Sequence, residues 1–203
     1  YDAEYYWSLA DSSNFFEFPL SMRGYLYPWV LAPVKFLCVL FNSLIPLKIS
    51  FALVYAFGFS VILPGLYKQL TGVAPSFTAI IVLLLAFMAL FPGLLIYPLS
   101  DLPALLFLGL SLHLILLVSD NPVRRSWIPA VLAGVALYAS YNTRTIYLVA
   151  VPFIVLLLIL SIPKVGIRFF LCFMFGVLIA AIPQMIVNKK HLGSFSPMVS
   201  ATA

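Results

Sequence analysis

The sequence predicts an all-α, polytopic transmembrane helical bundle, and three observations carry that expectation. First, 64% of the 203 residues are hydrophobic and only 8% are charged, whereas soluble domains have roughly 45–50% apolar and about 25% charged residues. Second, the mean hydropathy is +1.14. Third, the few charges divide the chain into uncharged stretches at 49–67, 69–100, 102–119, 126–143, 145–163 and 169–188. Each is close to or above the ~20 residues with which a helix crosses a bilayer core. Backbone polar groups in lipid must be satisfied within the structure, so such stretches fold as helices. Six spans is the smallest number that uses every stretch.

The elements follow in order. Residues 1–23 hold four of the six acids, Asp2, Glu4, Asp11 and Glu17, and are expected to form a water-facing amphipathic loop. Residues 24–42 are apolar but interrupted by Pro28 and Pro33, and they carry Lys35 in mid-stretch. A charge at the bilayer centre is costly, so a re-entrant or interface-lying helix is expected there. The chain therefore divides into an extracytoplasmic loop with juxtamembrane helices at 1–48, a transmembrane helical module at 49–188, and the start of a second extracytoplasmic loop at 189–203. The absence of an initiator Met, an opening in mid-motif at Tyr1 and a stop just after a loop begins read as a segment of a longer protein.

Threading the spans with 1–48 outside puts Lys68, Arg124, Arg125, Lys164 and Arg168 inside. Arg23, Lys35, Lys48, Arg144, Lys189 and Lys190 fall outside. The positive-inside count alone therefore does not fix orientation. The acids are more telling, because every one except Asp120 falls on the outer face together with those cations. Carboxylates and cations gathered on one face of a membrane protein mark a functional site.

The charge excludes nucleic acid as a partner: a net +5 is spread thinly, with no basic run longer than Arg124-Arg125 or Lys189-Lys190. Cys38 and Cys172 sit in apolar runs without metal or redox spacing and read as packing residues. His113, within a Leu- and Ser-rich span, reads as an interhelical hydrogen-bonder. Tyr5, Tyr6, Trp7, Tyr25, Tyr27 and Trp29 read as an interfacial aromatic belt.

Four motifs lie on the outer face. They are Tyr1-Asp2-Ala3-Glu4-Tyr5-Tyr6 followed by Arg23-Gly24-Tyr25-Leu26-Tyr27-Pro28; Tyr97-Pro98-Leu99-Ser100-Asp101; Tyr141-Asn142-Thr143-Arg144-Thr145; and Asn188-Lys189-Lys190-His191-Leu192-Gly193-Ser194-Phe195-Ser196-Pro197. In this order they resemble the membrane module of the GT-C superfamily, the multi-pass glycosyltransferases that use polyprenyl- or dolichyl-phosphate-linked sugars. The resemblance implies that one further span precedes Tyr1 and that helices or a soluble domain follow Ala203.

It also implies that Asp2, the first-loop acid, is the catalytic base, with Glu4 as its rival. Asp101, Arg23, Arg144, Lys189, Lys190 and His191 would bind the donor phosphate or the substrate. The implied partners are a polyprenyl- or dolichyl-phosphate sugar donor, a lipid, glycan or protein acceptor, and membrane lipids. The implied compartment is the bacterial inner membrane, with the endoplasmic reticulum as the second placement. Some members of that family carry a pair of acids at the second site that helps hold a divalent metal. Here Asp101 stands alone, so no metal ligand is assigned and a divalent ion stays an open alternative.

Ordinary roles stand beside these. Asp2, Glu4 and Asp101 also suit helix N-termini, Arg144 suits snorkelling to headgroups, and Lys189-Lys190 suits an anchor on anionic lipid. A lipid-sugar transporter or flippase, and a non-catalytic subunit of a glycosylation assembly, are the alternative functions.

Overall fold

The computed structural model describes residues 2–10, 24–90, 100–120 and 127–199, with backbone alone at 2–5, 120 and 161–165. Among the described residues the regular structure is entirely helical. It comprises α1 (Asp2–Leu9), α2 (Leu26–Leu40), α3 (Ile45–Phe57), α4 (Leu63–Thr71), α5 (Phe77–Leu90), α6 (Asp101–Asp120), α7 (Trp127–Thr143), α8 (Ala150–Val165) and α9 (Ile167–Leu192). A π-helical turn, Gly58–Ile62, joins α3 to α4, and a 3-10 turn, Thr145–Val149, leads into α8.

Three helical stretches are long and apolar enough to cross a membrane: Ile45–Thr71, Asp101–Ser119 and Ile167–Leu192. Leu26–Leu40, Phe77–Leu90 and Thr145–Leu160 are apolar but shorter. The outer surface of these helices is hydrocarbon, with Leu53, Leu85, Phe153, Phe175 and Leu178 all exposed. Helices of this length, apolar around most of their circumference, define a membrane protein.

Local chemistry explains where the elements start and stop. The rod from Ile45 to Thr71 begins after Ser43, whose Oγ accepts from the Ile45 N–H at 3.2 Å. It therefore starts four residues before the uncharged stretch and carries Lys48 on an exposed position. Within it, Pro64 has no N–H to offer Ser60 and its ring crowds that carbonyl, and the π turn immediately before it takes up the misfit. Gly72 at φ 76° ends the rod in the left-handed conformation. In the same way α9 continues past Asn188 to Leu192, because Lys189, Lys190 and His191 suit the negative end of its dipole and Gly193 at φ 71° caps it.

Only 15 residues long, α2 spans about 22 Å at 1.5 Å per residue. That falls short of a bilayer core, as does the 14-residue α5. The six-span layout meets the structure unevenly: helices underlie all six stretches, but the described parts at 77–90, 127–143 and 145–160 are shorter than a full crossing.

The centre of the bundle is α7, packed between α6 and α9. Small residues, Ala130, Ala133, Gly134, Ala136 and Ala139, make up much of its buried surface, with Leu137, Tyr138 and Tyr141 buried toward its C-terminal half. A β-carbon at Gly134 would stand 2.1 Å from the Phe173 carbonyl oxygen, and one at Gly176 2.1 Å from the Val131 carbonyl oxygen. The two backbones are thus in direct contact at reciprocal glycines, the means by which helices associate when no hydrophobic driving force separates protein from lipid. Larger side chains, Ile115, Val118, Ile154, Leu158, Phe169 and Phe173, fill the space around this seam. A second cluster, including Tyr6, Tyr27, Leu31, Phe51, Tyr55, Leu102 and Leu106, joins α1, α2 and α3 to α6.

Replacing Gly176 by Leu is expected to destabilise the bundle by about 1–3 kcal/mol through forced separation of α7 and α9. Replacing the lipid-facing Leu171 by Ala should stay within about 0.5 kcal/mol, the usual range for exposed substitutions. Denaturant unfolding in detergent, followed by circular dichroism, compares the two variants directly.

Candidate functional site

The C-terminal end of α7 is where the chain's separated polar segments meet. Asn142 is fully buried, and each of its groups is used. Its carbonyl accepts from the Gly24 N–H at 3.1 Å, its Oδ1 accepts from the Leu26 N–H at 2.9 Å, and its Nδ2 donates to Gln184 Oε1 at 2.9 Å. Gln184 Nε2 passes the chain on to Asn188 Oδ1 at 3.0 Å, and Asn188 Nδ2 donates to the carbonyls of Ser196 and Met198, both at 2.7 Å. A backbone donor stands at one end of this series and backbone acceptors at the other, so each amide has only one satisfactory orientation.

Tyrosines reinforce the same end. Tyr25 Oη donates to the Ala180 carbonyl at 2.6 Å, and burial pushes its phenol pKa up, which keeps it a neutral donor. Tyr138 Oη donates to the Pro197 carbonyl at 2.7 Å, and Tyr141 Oη accepts from the Val199 N–H at 2.9 Å. Helix α1 arrives here too, with Tyr6 Oη donating to the Thr143 carbonyl at 3.3 Å. Two buried hydroxyls at this end, Ser140 Oγ and Thr143 Oγ1, meet no hydrogen-bond partner.

Arg144 breaks α7 in an extended conformation (φ −145°, ψ 110°). Its Nε donates to Asp101 Oδ1 at 2.8 Å, and its Nη2 reaches the same oxygen. Asp101 opens α6 immediately after buried Ser100, whose carbonyl accepts from the Ala104 N–H at 3.0 Å. The pair is half in solvent, with the Arg144 side chain 35% and the Asp101 side chain 50% exposed. Such a pair contributes only about 0–1 kcal/mol to stability. A stability role therefore accounts poorly for two charges at the rim of an apolar bundle.

The expected site residues sort as follows. Asp101 and Arg144 are brought into direct contact. Asp2 and Glu4 lie on the backbone of α1, which docks on the Arg144 end through Tyr6, while their side chains lie outside the described residues. Arg23 also lies outside the described residues.

Lys189, Lys190 and His191 occupy the exposed last turn of α9. Lys189 Nζ donates to the Gly193 carbonyl at 3.0 Å and stands 5.3 Å from the Phe195 ring centroid, so it caps its own helix. His113 faces a neighbouring helix, its Nδ1 3.0 Å from Gln69 Oε1 while Gln69 Nε2 donates to its carbonyl. An apolar cavity of about 780 Å³ lies toward that opposite end, between α4 and α5.

A divalent metal fits the described donors poorly. Hard cations take six or more oxygens, whereas Asp101 offers one carboxylate whose Oδ1 already accepts two Arg144 donors. Among the described residues no group of three or more His, Cys, Asp or Glu stands together.

Gln184 lies outside the four sequence motifs, and Asn142 and Asn188 stand inside them without an assigned role. The available signal was the placement of two amides one turn apart on an otherwise apolar span, opposite a third amide at another span's end. Comparison with known proteins returns no matching family model, curated protein or solved structure.

Two variants separate the structural from the chemical groups at this end. Asn142→Leu, which strands the Leu26 N–H and leaves Gln184 Oε1 with only the Tyr25 N–H at 3.4 Å, is expected to lower stability by roughly 1–3 kcal/mol. Arg144→Gln should cost about 1 kcal/mol or less. Chemical denaturation of both variants in one detergent decides whether the order holds.

Proposed function

We propose that the protein is an integral-membrane glycosyltransferase of GT-C type. It moves a sugar from a polyprenyl-phosphate-linked donor to an acceptor on the extracytoplasmic face. In this reading the chain crosses the bilayer six times, in the bacterial plasma membrane, with the luminal face of the endoplasmic reticulum as the second placement. The observation that carries the reading is the meeting of α1, the Asp101–Arg144 pair and the 184–199 segment at one end of an apolar bundle. Of the residues in the sequence motifs, Asp101, Arg144, Asn142 and Asn188 stand at that end.

The chemistry follows from the groups at that end. An acceptor hydroxyl, with a pKa far above neutrality, must lose its proton as its oxygen attacks the anomeric carbon and the bond to the lipid phosphate breaks. Asp2, in the first turn of α1, takes that proton, a contribution of about 10²–10⁴-fold. The departing phosphate competes with Asp101 for the planar fork of Arg144, which matches two phosphate oxygens at once. Lys190, on the exposed last turn of α9, adds positive charge near the membrane surface, and His191 beside it adds a ring nitrogen for hydrogen bonding. No step is assigned to a metal.

One observation favours a non-catalytic subunit as the second reading: Arg144 already has a carboxylate partner in Asp101.

Sugar transfer from a panel of radiolabelled polyprenyl-phosphate sugars, in membranes carrying the full protein, tests the proposal. Asp2→Asn should lower transfer by roughly 10²-fold or more, and Glu4→Gln by no more than about tenfold. A dead Glu4→Gln with an active Asp2→Asn would move the base to Glu4. Arg144→Gln should raise the donor KM and lower kcat, as expected of a group that binds phosphate more tightly in the transition state. Binding of polyprenyl phosphate without transfer from any donor would favour the subunit or transporter reading.

A further inference from the structure

Lys35 is a buried ammonium in an otherwise apolar helix. It is only 7% exposed, yet it lies on α2 among Val34, Phe36 and Leu37. A lysine near the membrane surface ordinarily extends its stem to carry the charge into water. Lys35 instead turns inward: its Nζ donates to the Trp7 carbonyl oxygen at 2.6 Å and stands 5.1 Å from the Trp7 ring centroid. Burying an ammonium is costly unless it is paired, so these contacts, and the geometry they impose, matter to the fold.

The Trp7 carbonyl is one of the last four of α1, which end a helix without intrahelical partners and carry its negative dipole charge. Lys35 therefore caps the C-terminus of α1. A second attachment lies on the neighbouring residue. Tyr6 packs edge-on against Tyr27 of α2 with ring centroids 4.9 Å apart, and its hydroxyl donates to the Thr143 carbonyl beside Arg144. Two adjacent residues thus tie α1 to two different helices, which fixes both its position and its rotation. Asp2 lies one turn before Tyr6 on the same helix and Glu4 half a turn later.

We infer that Lys35 is a positioning residue that holds α1, the helix on which Asp2 and Glu4 stand, against the end of the bundle where Asp101 and Arg144 meet. The inference rests on the reading of α1 as the carrier of the base. Lys35 touches neither substrate nor reacting atoms. It acts through the end of the helix on which the base stands, and a small misplacement of a base costs rate even where binding survives.

The test uses the full protein in nanodiscs with Lys35→Met, which keeps the apolar stem without the charge, and Lys35→Arg, which keeps the charge. Hydrogen exchange of residues 2–10 is followed by mass spectrometry, with residues 127–143 as internal reference, and sugar transfer is measured in parallel. Lys35→Met should lose about tenfold or more of the protection in 2–10 while 127–143 is unchanged. Its kcat should fall roughly tenfold or more with donor KM within about twofold. Lys35→Arg should restore both.

The inference is overturned by unchanged protection of 2–10 in Lys35→Met, by loss of protection throughout 127–143 as well, or by an Arg variant that behaves like Met. If protection of 2–10 is lost while transfer is unaffected, the anchor stands and the assignment of the base to α1 fails.

Discussion

The structure depends on a run of buried amides. Asn142, Gln184 and Asn188 link the N–H of Leu26 to the carbonyls of Ser196 and Met198 through three side chains whose orientations are each fixed by the next. In a low-dielectric interior such a series is worth making only if it is complete, because one missing link leaves buried polar groups on both sides. Here it is complete. Its effect is to turn the end of an apolar helix pair into a fixed frame on which segments from the start, middle and end of the chain are held in register.

That frame and the glycine seam divide the work between them. Gly134 and Gly176 let α7 and α9 approach to backbone contact, which brings their polar ends within amide reach. Without close approach, side chains as short as Asn and Gln could not bridge the helices. With it, Thr143 and Arg144 emerge at a defined place, and Arg144 can leave the helix to meet Asp101. The charged pair is thus carried by apolar packing below it and by amide bonding beside it, while contributing little to either.

Much of this architecture was legible in the sequence. The uncharged stretches gave the helices, because charge is nearly excluded from hydrocarbon. Alternation of the spans placed Asp101, Arg144 and Asn188 at the same end. Boundaries shifted where local bonds outweighed charge: Ser43 started a helix ahead of Lys48, and Gly193 let Lys189, Lys190 and His191 stay helical. Lys35 was recognised as too costly for the bilayer centre, but its partner could not be read, because Trp7 lies 28 residues away on another element. The direct Asp101–Arg144 contact, 43 residues apart, was hidden for the same reason. Spacing reports the face of a helix, and only the fold reports what that face meets.

The amide run also orders events in time. Leu26 and Tyr25 are bound by residues 116 and 159 positions further on. During synthesis at about 5–20 residues per second, roughly ten to thirty seconds separate the emergence of Tyr25 from that of Gln184. Through that interval α1 and α2 have each other, through the Lys35–Trp7 bond and the Tyr6–Tyr27 contact, but the Tyr25 N–H has no Gln184 to meet. The segment is therefore closed in stages: α2 holds α1 first, the end of α7 then supplies Thr143 and Asn142, and α9 adds Gln184, so a bundle truncated ahead of α9 would keep α1 on α2 and α7 but leave the Tyr25 N–H and the Asn142 amide without their shared acceptor.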